Sequence, residues 1–562
     1  MSGEKRDSQV VFKRNASLIL LFLILILGFS LRVYHADYPV VGYHNWKEYH
    51  YLSEARNFAE DGFFANGFLL PKTDGFDLEL LNEGIHPDTF PTTSLVVGFL
   101  FNIFGISLFL ARFVNILFVL GAVVYFYFLI KALFKREDVA LVGALLLALN
   151  PLTIFFGRQV QMINPALFFM IGSFFHFIQW RKFDRGKDFY IFTLFAALSF
   201  ITKYTFFVLF FPILALFPYK KFFGEVKKRS KQIVAAVLFF ITIPLWMLYN
   251  NGLKGEYVVK EALAGETINF AMAFSSELWI PLKSYLADNF TYLGIAFALL
   301  GVLFVLLSKH KTLGRKFIMF YLLGGVVWFF IMSQRLSGHN YHQYPLVPLV
   351  LLLMMYAFAI ISKFVVGLFK DYFKNDKKKN YLRFVTYLIL FVLLIYPPVF
   401  GDKGGVLDAK DRMFDTQFIG MDVAGNYINR NAGETDRVFH SEHQSYGLLW
   451  HADREGTGLP NDLELIKLGV DEHDFRWIFL YQWEFSRLQD GGFMEYVQNN
   501  FKIAQVGFFQ LGEETSPVYI LFEHGGTSNV QEMAAEIDPS TVMFKDYEYT
   551  KGTQRLSYFN LP

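Results

Sequence analysis

ARFVNILFVLGAVVYFYFLIKALFKRED, residues 111–138, decides the fold. An apolar, aromatic run long enough to cross a bilayer ends in Lys131, Lys135 and Arg136. A helix suits such a run, because it satisfies every backbone polar group within the segment. The unit recurs along the chain. Apolar runs at 16–34, 112–130, 139–156, 165–180, 189–201, 205–216, 233–249, 292–307, 317–332, 344–368 and 381–396 give about eleven spans. With 54% hydrophobic and 19% aromatic residues over 562 positions, the composition exceeds what a soluble chain needs. The reading is a polytopic α-helical membrane protein. The short runs 189–201 and 205–216 read as a hairpin around the TKYT of 202–205.

Basic residues occupy every second gap between the runs. Lys5, Arg6, Lys13 and Arg14 precede the first run, and Lys131, Lys135 and Arg136 follow the second. Arg181, Lys182, Arg185 and Lys187 follow the fourth; Lys220, Lys221, Lys227, Lys228, Arg229 and Lys231 follow the sixth. Lys309, Lys311, Arg315 and Lys316 follow the eighth, and Lys370, Lys374, Lys377, Lys378 and Lys379 the tenth. The positive-inside rule makes that side cytoplasmic. Residues 1–15 are then a cytoplasmic N-terminus, and everything after 396 lies outside. The first run has no small-residue cleavage site after it and is read as an uncleaved span. Counting 94–104 as a span would break the alternation, so it is read as a short helix at the outer interface or re-entering.

This places a transmembrane domain at 16–400, with a long first outer loop at 37–111. An extracytoplasmic α/β domain follows at 401–562, where short β-like runs (RVFHSE, RWIFLY, VYILFEH) alternate with polar helical stretches. The expected setting is a prokaryotic plasma membrane. The chain has no cysteine, which rules out disulfides, thiolate metal sites and cysteine nucleophiles. It shows no Walker loop, no GxGxxG before a helix and no GxSxG. Nothing points to a nucleic-acid partner.

The outer polar pieces are where chemistry is expected. Asp37, Glu48, Glu54, Glu60, Asp61, Asp74, Asp77, Glu79, Glu83 and Asp88 face only Lys47, Arg56 and Lys72 in the first loop. Clustered carboxylates suit removal of a hydroxyl proton, or hard-oxygen coordination of Mg2+ or Mn2+. The bland reading is a solvated acidic loop. Lys203, between two apolar runs, and Arg158, after a span, ask for an anionic partner, snorkelling or a helix-end role. SQRLSGHNYHQYPLVP (333–348) gathers Arg335, His339, Asn340, Tyr341, His342 and Tyr344. Phosphate or sugar recognition fits that set better than zinc, since two His at i, i+3 lack a third ligand. The His-rich HSEHQSYGLLWHADREG (440–456) reads as a polar surface.

Several stretches resemble one family. They are HNWKEYHYLSEARNF (44–58), HPDTFPTTSLVVGFLFNIFG (86–105) with the opening stretch, and ALVGALLLALNPLTIFFGRQVQMINPALFFM (140–170). SFITKYTF (199–206) and HNYHQYPLVPLVLLL (339–353) complete the set. In that order they are similar to the GT-C glycosyltransferases, in the protein mannosyltransferase and aminoarabinose transferase branch. The resemblance implies sugar transfer from a polyprenyl-phosphate carrier to a protein, lipid or glycan acceptor outside the membrane. It implies a first-loop carboxylate as base, with Glu48 ahead of Asp74 and Asp88. Lys203 and Arg158, with His339, Tyr341, His342 and Tyr344, would hold the donor phosphate. His44, Trp46, His86, Gln161 and Asn164 would line the acceptor or sugar pocket. A Mg2+ or Mn2+ ion, if used, would fall to Glu48 and Asp74. Two positions depart from the family pattern. The first-loop acidic pair reads Lys47-Glu48, and Asn164 stands where an Asp is usual, which leaves the base and the metal open. The other readings are a degenerate member acting as a receptor or scaffold, and a transporter of lipid-linked sugars. A transporter is expected to show charges at mid-membrane depth and two related halves; neither is visible.

Overall fold

The computed structural model describes residues 2–78, 82–85, 89–253, 269–373, 375–397, 404–441, 443–511, 514–529, 543–549 and 555–561. The chain folds as two units. The first comprises Met1–Ala36, Pro87–Thr92 and Arg112–Met413; the second comprises Asp37–His86, Thr93–Ala111 and Phe414–Pro562.

The first unit is helical. All eleven apolar runs are essentially helical, though 139–156, 205–216 and 344–368 each cross two helical segments. Among the described residues, five helices are long and apolar enough to cross a membrane: Asn15–Val33, Leu108–Phe134, Val226–Asn250, Leu313–Gly338 and Asn340–Leu368. Two bent pairs raise the number to seven, Glu137–Leu149 with Pro151–Arg158 (57°) and Ser276–Phe290 with Tyr292–Leu307 (92°). The remaining runs are helical without meeting that length and hydropathy. The break expected at TKYT falls at Lys203. There the helix Gly186–Thr202 gives way to an extended residue (φ −153°), then to the 3-10 turn Tyr204–Leu209.

The first bend has a clear cause. Helix α1 (Ser2–Val33) runs beside α2 (Glu137–Leu149), which stops because Pro151 cannot continue it. Asn150 starts α3 (Pro151–Arg158) by accepting a hydrogen bond from the Thr153 amide (3.1 Å). The end of α2 leaves carbonyls with no intrahelical partner. Arg32, fully buried on α1, donates to the carbonyls of Ala148 (3.1 Å), Leu147 (3.4 Å) and Thr153 (3.0 Å), and to Thr153 Oγ1 (3.0 Å). Gly157 leaves room for it: a Cβ there would sit 3.0 Å from Arg32 Nε and 3.3 Å from Val119.

The second bend centres on Thr291, whose φ of +64° is unusual for a β-branched residue. Its hydroxyl accepts from the Gly294 amide (3.1 Å) and starts the next helix. Side-chain amides tie the breaks together. Asn150 donates to the Asn289 carbonyl (2.7 Å), and Asn289 donates to the Asn340 carbonyl (3.1 Å).

The second unit is built on a mixed sheet. Its described strands are β1 (Lys72–Asp77), β2 (Asn82–Ile85), β3 (Arg437–His440), β4 (Gly456–Gly458), β5 (Phe475–Tyr481), β6 (Phe501–Leu511), β7 (Glu514–His524), β8 (Lys545–Glu548) and β9 (Arg555–Asn560). Their order is β2-β1-β4-β3-β5-β7-β6-β9-β8. The three β-like runs of the sequence fall on β3, β5 and β7. The first loop, however, does not stand apart from the C-terminal domain: β1 pairs with β4 in parallel, at Gly75 and Gly456. Residues 37–86 and 93–111 therefore share a unit with the chain after 413, and the expected boundary at 401 lies outside the described residues. Phe76, Phe439, Phe475, Ile478 and Phe522 form the core beside the sheet. The stretch 94–104 lies within Thr92–Phe104, a 13-residue helix. It packs closely at Gly98, where a Cβ would lie 2.8 Å from the Ala55 carbonyl.

Arg32→Leu strands the carbonyls it caps. We expect a loss of about 3 kcal/mol, from an orphan cost of about 1–3 kcal/mol for each buried group. It reads out as a lower midpoint of thermal unfolding in detergent. Arg32→Lys should recover little of it, because a point charge cannot reproduce the guanidinium fork.

Candidate functional site

In the helical unit, four segments meet: the end of α3, the start of α4 (Ile163–Phe183), the turn after Lys203, and the 3-10 turn Asn340–Leu346. Hydrogen bonds hold them in place. Tyr321 donates to the Pro345 carbonyl (2.6 Å), Trp328 Nε1 to the Thr205 carbonyl (2.7 Å), and Ser199 to the Ala166 carbonyl (2.9 Å). The hydroxyls of Thr92 and Thr202 lie 2.6 Å apart. This packing gathers Arg158, Gln161, Asn164, Lys203 and residues 339–344 into one neighbourhood, with Lys203 8% and His342 9% exposed.

The gathered side chains divide by what they bond. Asn164 is committed: its Nδ2 serves Asn115 Oδ1 (3.2 Å) and the carbonyls of Phe156 (2.9 Å) and Gln159 (3.0 Å). Its Oδ1 accepts from Tyr344 (2.9 Å), itself fully buried. Asn164, expected in a sugar pocket, and Tyr344, expected on the phosphate, bond each other and so join two segments. Gln161 donates to Gln159 Oε1 (2.9 Å), and its amide N–H donates to Asn115 (3.3 Å). Arg158, in the last turn of α3, donates to the His35 carbonyl, where Arg112 also donates (3.4 Å). It thereby serves the end of α1, whatever else it holds. His339 and Tyr341 stack (5.4 Å, 11°), with His342 4.5 Å from the Tyr341 ring.

Of the first-loop candidates, Trp46 and Glu48 lie in the second unit on the helix Asn45–Glu60. His44 precedes it in a left-handed conformation (φ 56°). Glu48 sits in its first turn, 1% exposed, where the helix N-terminus favours a carboxylate. Lys47, in place of the family's first acid, lays its ammonium over Trp46 (4.4 Å), and the His44 ring meets Trp46 edge-on (6.5 Å). Glu54 accepts from Ser94 (2.5 Å), a buried contact not singled out in the sequence.

Asp74 has a different fate. It lies in β1, paired with Arg56 and accepting from Asn57 Nδ2 (3.2 Å). Burial pushes its carboxyl above the usual range, against the pull of Arg56. Arg56 also pairs with Asp453 and lies over Trp450 (5.1 Å). Lys72 and Arg437 share Glu455 (3.1 and 2.9 Å), and a cavity of about 430 Å3 opens beside these pairs. With its oxygens held by Arg56 and Asn57, Asp74 does not fit a Mg2+ or Mn2+ ligand shared with Glu48. Among the described residues no three His, Asp or Glu side chains converge as a metal site requires. Asp88 and His86 lie outside the described residues.

HADREG is structural where it is described. His451 Nε2 accepts from the Val40 amide (3.1 Å), and Arg454 donates to the carbonyls of Gly433 (2.8 Å) and Ala432 (3.0 Å). His440 is fully buried with its ring 4.4 Å from Tyr446, and burial pushes its pKa down to about 4.

The comparisons agree with this architecture. Residues 86–248 match the family model of dolichyl-phosphate-mannose-protein mannosyltransferase. ArnT from Cupriavidus metallidurans bound to undecaprenyl phosphate superposes with a TM-score of 0.55 at 11% identity, over 92% of this chain and 98% of that one. Its apo state gives 0.53 at 10% identity, over the same shares. No curated protein matches on sequence. The chain is an integral membrane protein of the GT-C fold. Within that class it is similar to the protein mannosyltransferase and aminoarabinose transferase branch.

His440 makes a pH prediction. It stays neutral when folded, while the unfolded chain binds a proton below about pH 6.5. Its contribution is complete above that value and is lost as pH falls toward 4, by about 3 kcal/mol. Unfolding followed between pH 7 and 4 should steepen for the wild type relative to His440→Phe; parallel curves would contradict this.

Proposed function

We propose that the protein transfers a sugar from a polyprenyl-phosphate carrier to an acceptor hydroxyl on the outer side of the membrane. One observation carries the reading. Arg158, Lys203 and His342 are buried and His339 is half-buried, on segments that meet where helices of the bundle are interrupted. Cations kept at such depth suit an anion whose lipid tail stays in the bilayer. ArnT is recorded with undecaprenyl phosphate bound, which agrees in ligand class.

The chemistry is a displacement at the anomeric carbon. The acceptor hydroxyl gives its proton to a carboxylate as its oxygen forms the new glycosidic bond. The bond from carbon to phosphate oxygen breaks, and its electron pair leaves with the lipid phosphate. Lys203 and the histidines stabilise that growing charge, and the anomeric centre inverts. Glu48 is the favoured base, since Asp74 is held by Arg56. Basic loops at alternate gaps support a cytoplasmic N-terminus and an outer C-terminal unit. The acceptor class is a protein, lipid or glycan hydroxyl.

A second reading has its own support. Lys47 replaces one family acid, and Asn164 replaces another and is consumed structurally. A member with these changes would bind lipid-linked sugar without turning it over.

The two separate in one assay. Purified protein is given a panel of polyprenyl-phosphate sugars, with Mg2+, Mn2+ or chelator. Glycosyl transfer is expected, with Glu48→Gln lowering kcat by about 10²–10⁴-fold at retained donor binding. Lys203→Ala should weaken donor binding. Asp88→Asn tests the rival base. No lipid phosphate released from any donor, with all variants alike, would overturn the enzyme reading.

A further inference from the structure

The 3-10 turn Asn340–Leu346 has three faces, because three residues per turn set positions i and i+3 one above the other. One face carries a pair of histidines and another is packed against neighbouring segments. His339 and His342 have their rings 5.7 Å apart. Tyr341 packs against Phe156 (5.7 Å), and Tyr344 bonds Asn164. The third face is Asn340 and Gln343. Gln343 is 3% exposed, and neither its amide nitrogen nor its amide oxygen has a hydrogen-bond partner among the described residues. Asn340 is 2% exposed; its Nδ2 reaches Asn289 Oδ1 (3.5 Å), while its Oδ1 has no partner. Buried amides without partners are costly, so such a face is suited to a polar ligand.

We propose that Gln343 and Asn340 read the sugar hydroxyls of the donor. The functional-group count selects that ligand. The face offers two acceptor oxygens, Gln343 Oε1 and Asn340 Oδ1, and one NH2 group. A fully ionised phosphate brings acceptors only and leaves both oxygens unserved. A sugar hydroxyl donates and accepts, so two hydroxyls of one ring complete the set. Lys203 and the His339/His342 face supply cationic and ring N–H groups for the phosphate. Phosphate and sugar are thus recognised by adjacent faces of one turn. The inference rests on the lipid-phosphate-sugar reading of this same site.

The test uses the full-length protein in nanodiscs and two kinds of probe. One is undecaprenyl phosphate without sugar. The other is the same lipid carrying mannose, glucose or 4-amino-4-deoxyarabinose. Wild type should bind at least one sugar-bearing lipid more tightly than the bare lipid. Gln343→Leu, similar in size and without hydrogen-bonding groups, should weaken that binding about tenfold and leave bare-lipid binding unchanged. Gln343→Glu, which keeps the acceptor and loses the donor, should fall between. A sugar preference untouched by Gln343→Leu overturns the inference, as does an equal loss for both probes, which marks a structural role. Equal wild-type affinity for all the lipids overturns it too. No wild-type binding of the bare lipid defeats the underlying donor reading instead.

Discussion

Buried chain ends govern this helical unit. An apolar bundle cannot leave carbonyls unbonded, yet the bundle contains a helix that stops at Leu149 and restarts at Pro151. Arg32 resolves the conflict. Its guanidinium reaches both sides of the break, and Gly157 supplies the space. Asn150, Asn289 and Asn340 extend the same solution to a second bend and to the turn that carries His339–Tyr344. The interruptions can then serve as a place where polar side chains collect within an apolar unit.

That arrangement gives each candidate residue a physical setting. Lys203 is an extended residue between two helical segments, so its side chain belongs to a break and not to a helix face. Arg158 ends a two-turn helix and serves the carbonyl of His35. In the second unit, Glu48 and Asp74 separate by environment. One occupies the start of a helix; the other sits inside an ion-pair network of the sheet. Similar residue types in one loop therefore carry different expectations.

Much of the fold was legible because its signals are local. The apolar runs became helical, Lys203 marked a break, and RVFHSE, RWIFLY and VYILFEH gave strands. What escaped was long-range. The KTDGFD strand shows no apolar alternation, and its parallel partner is the three-residue Gly456–Gly458, so nothing local announced that the first loop joins the C-terminal sheet. Asn164 stood where an acid was expected, and only the fold shows that Tyr344, 180 residues away, takes its oxygen. Arg32 stands near the end of an apolar run, and the carbonyls it caps lie more than a hundred residues away. Gln343 sits between residues that were singled out, and its significance needs the three-face geometry of the turn.

On the proposed function, the neighbourhood of Lys203 and the His339–His342 turn holds a lipid phosphate. The most direct test is a cryo-electron microscopy reconstruction in nanodiscs with saturating undecaprenyl phosphate. Phosphate density is expected within hydrogen-bonding distance of Lys203 Nζ, with the prenyl chain leading into the bilayer. Phosphate density at a different place, with the Lys203 neighbourhood unchanged, would contradict it.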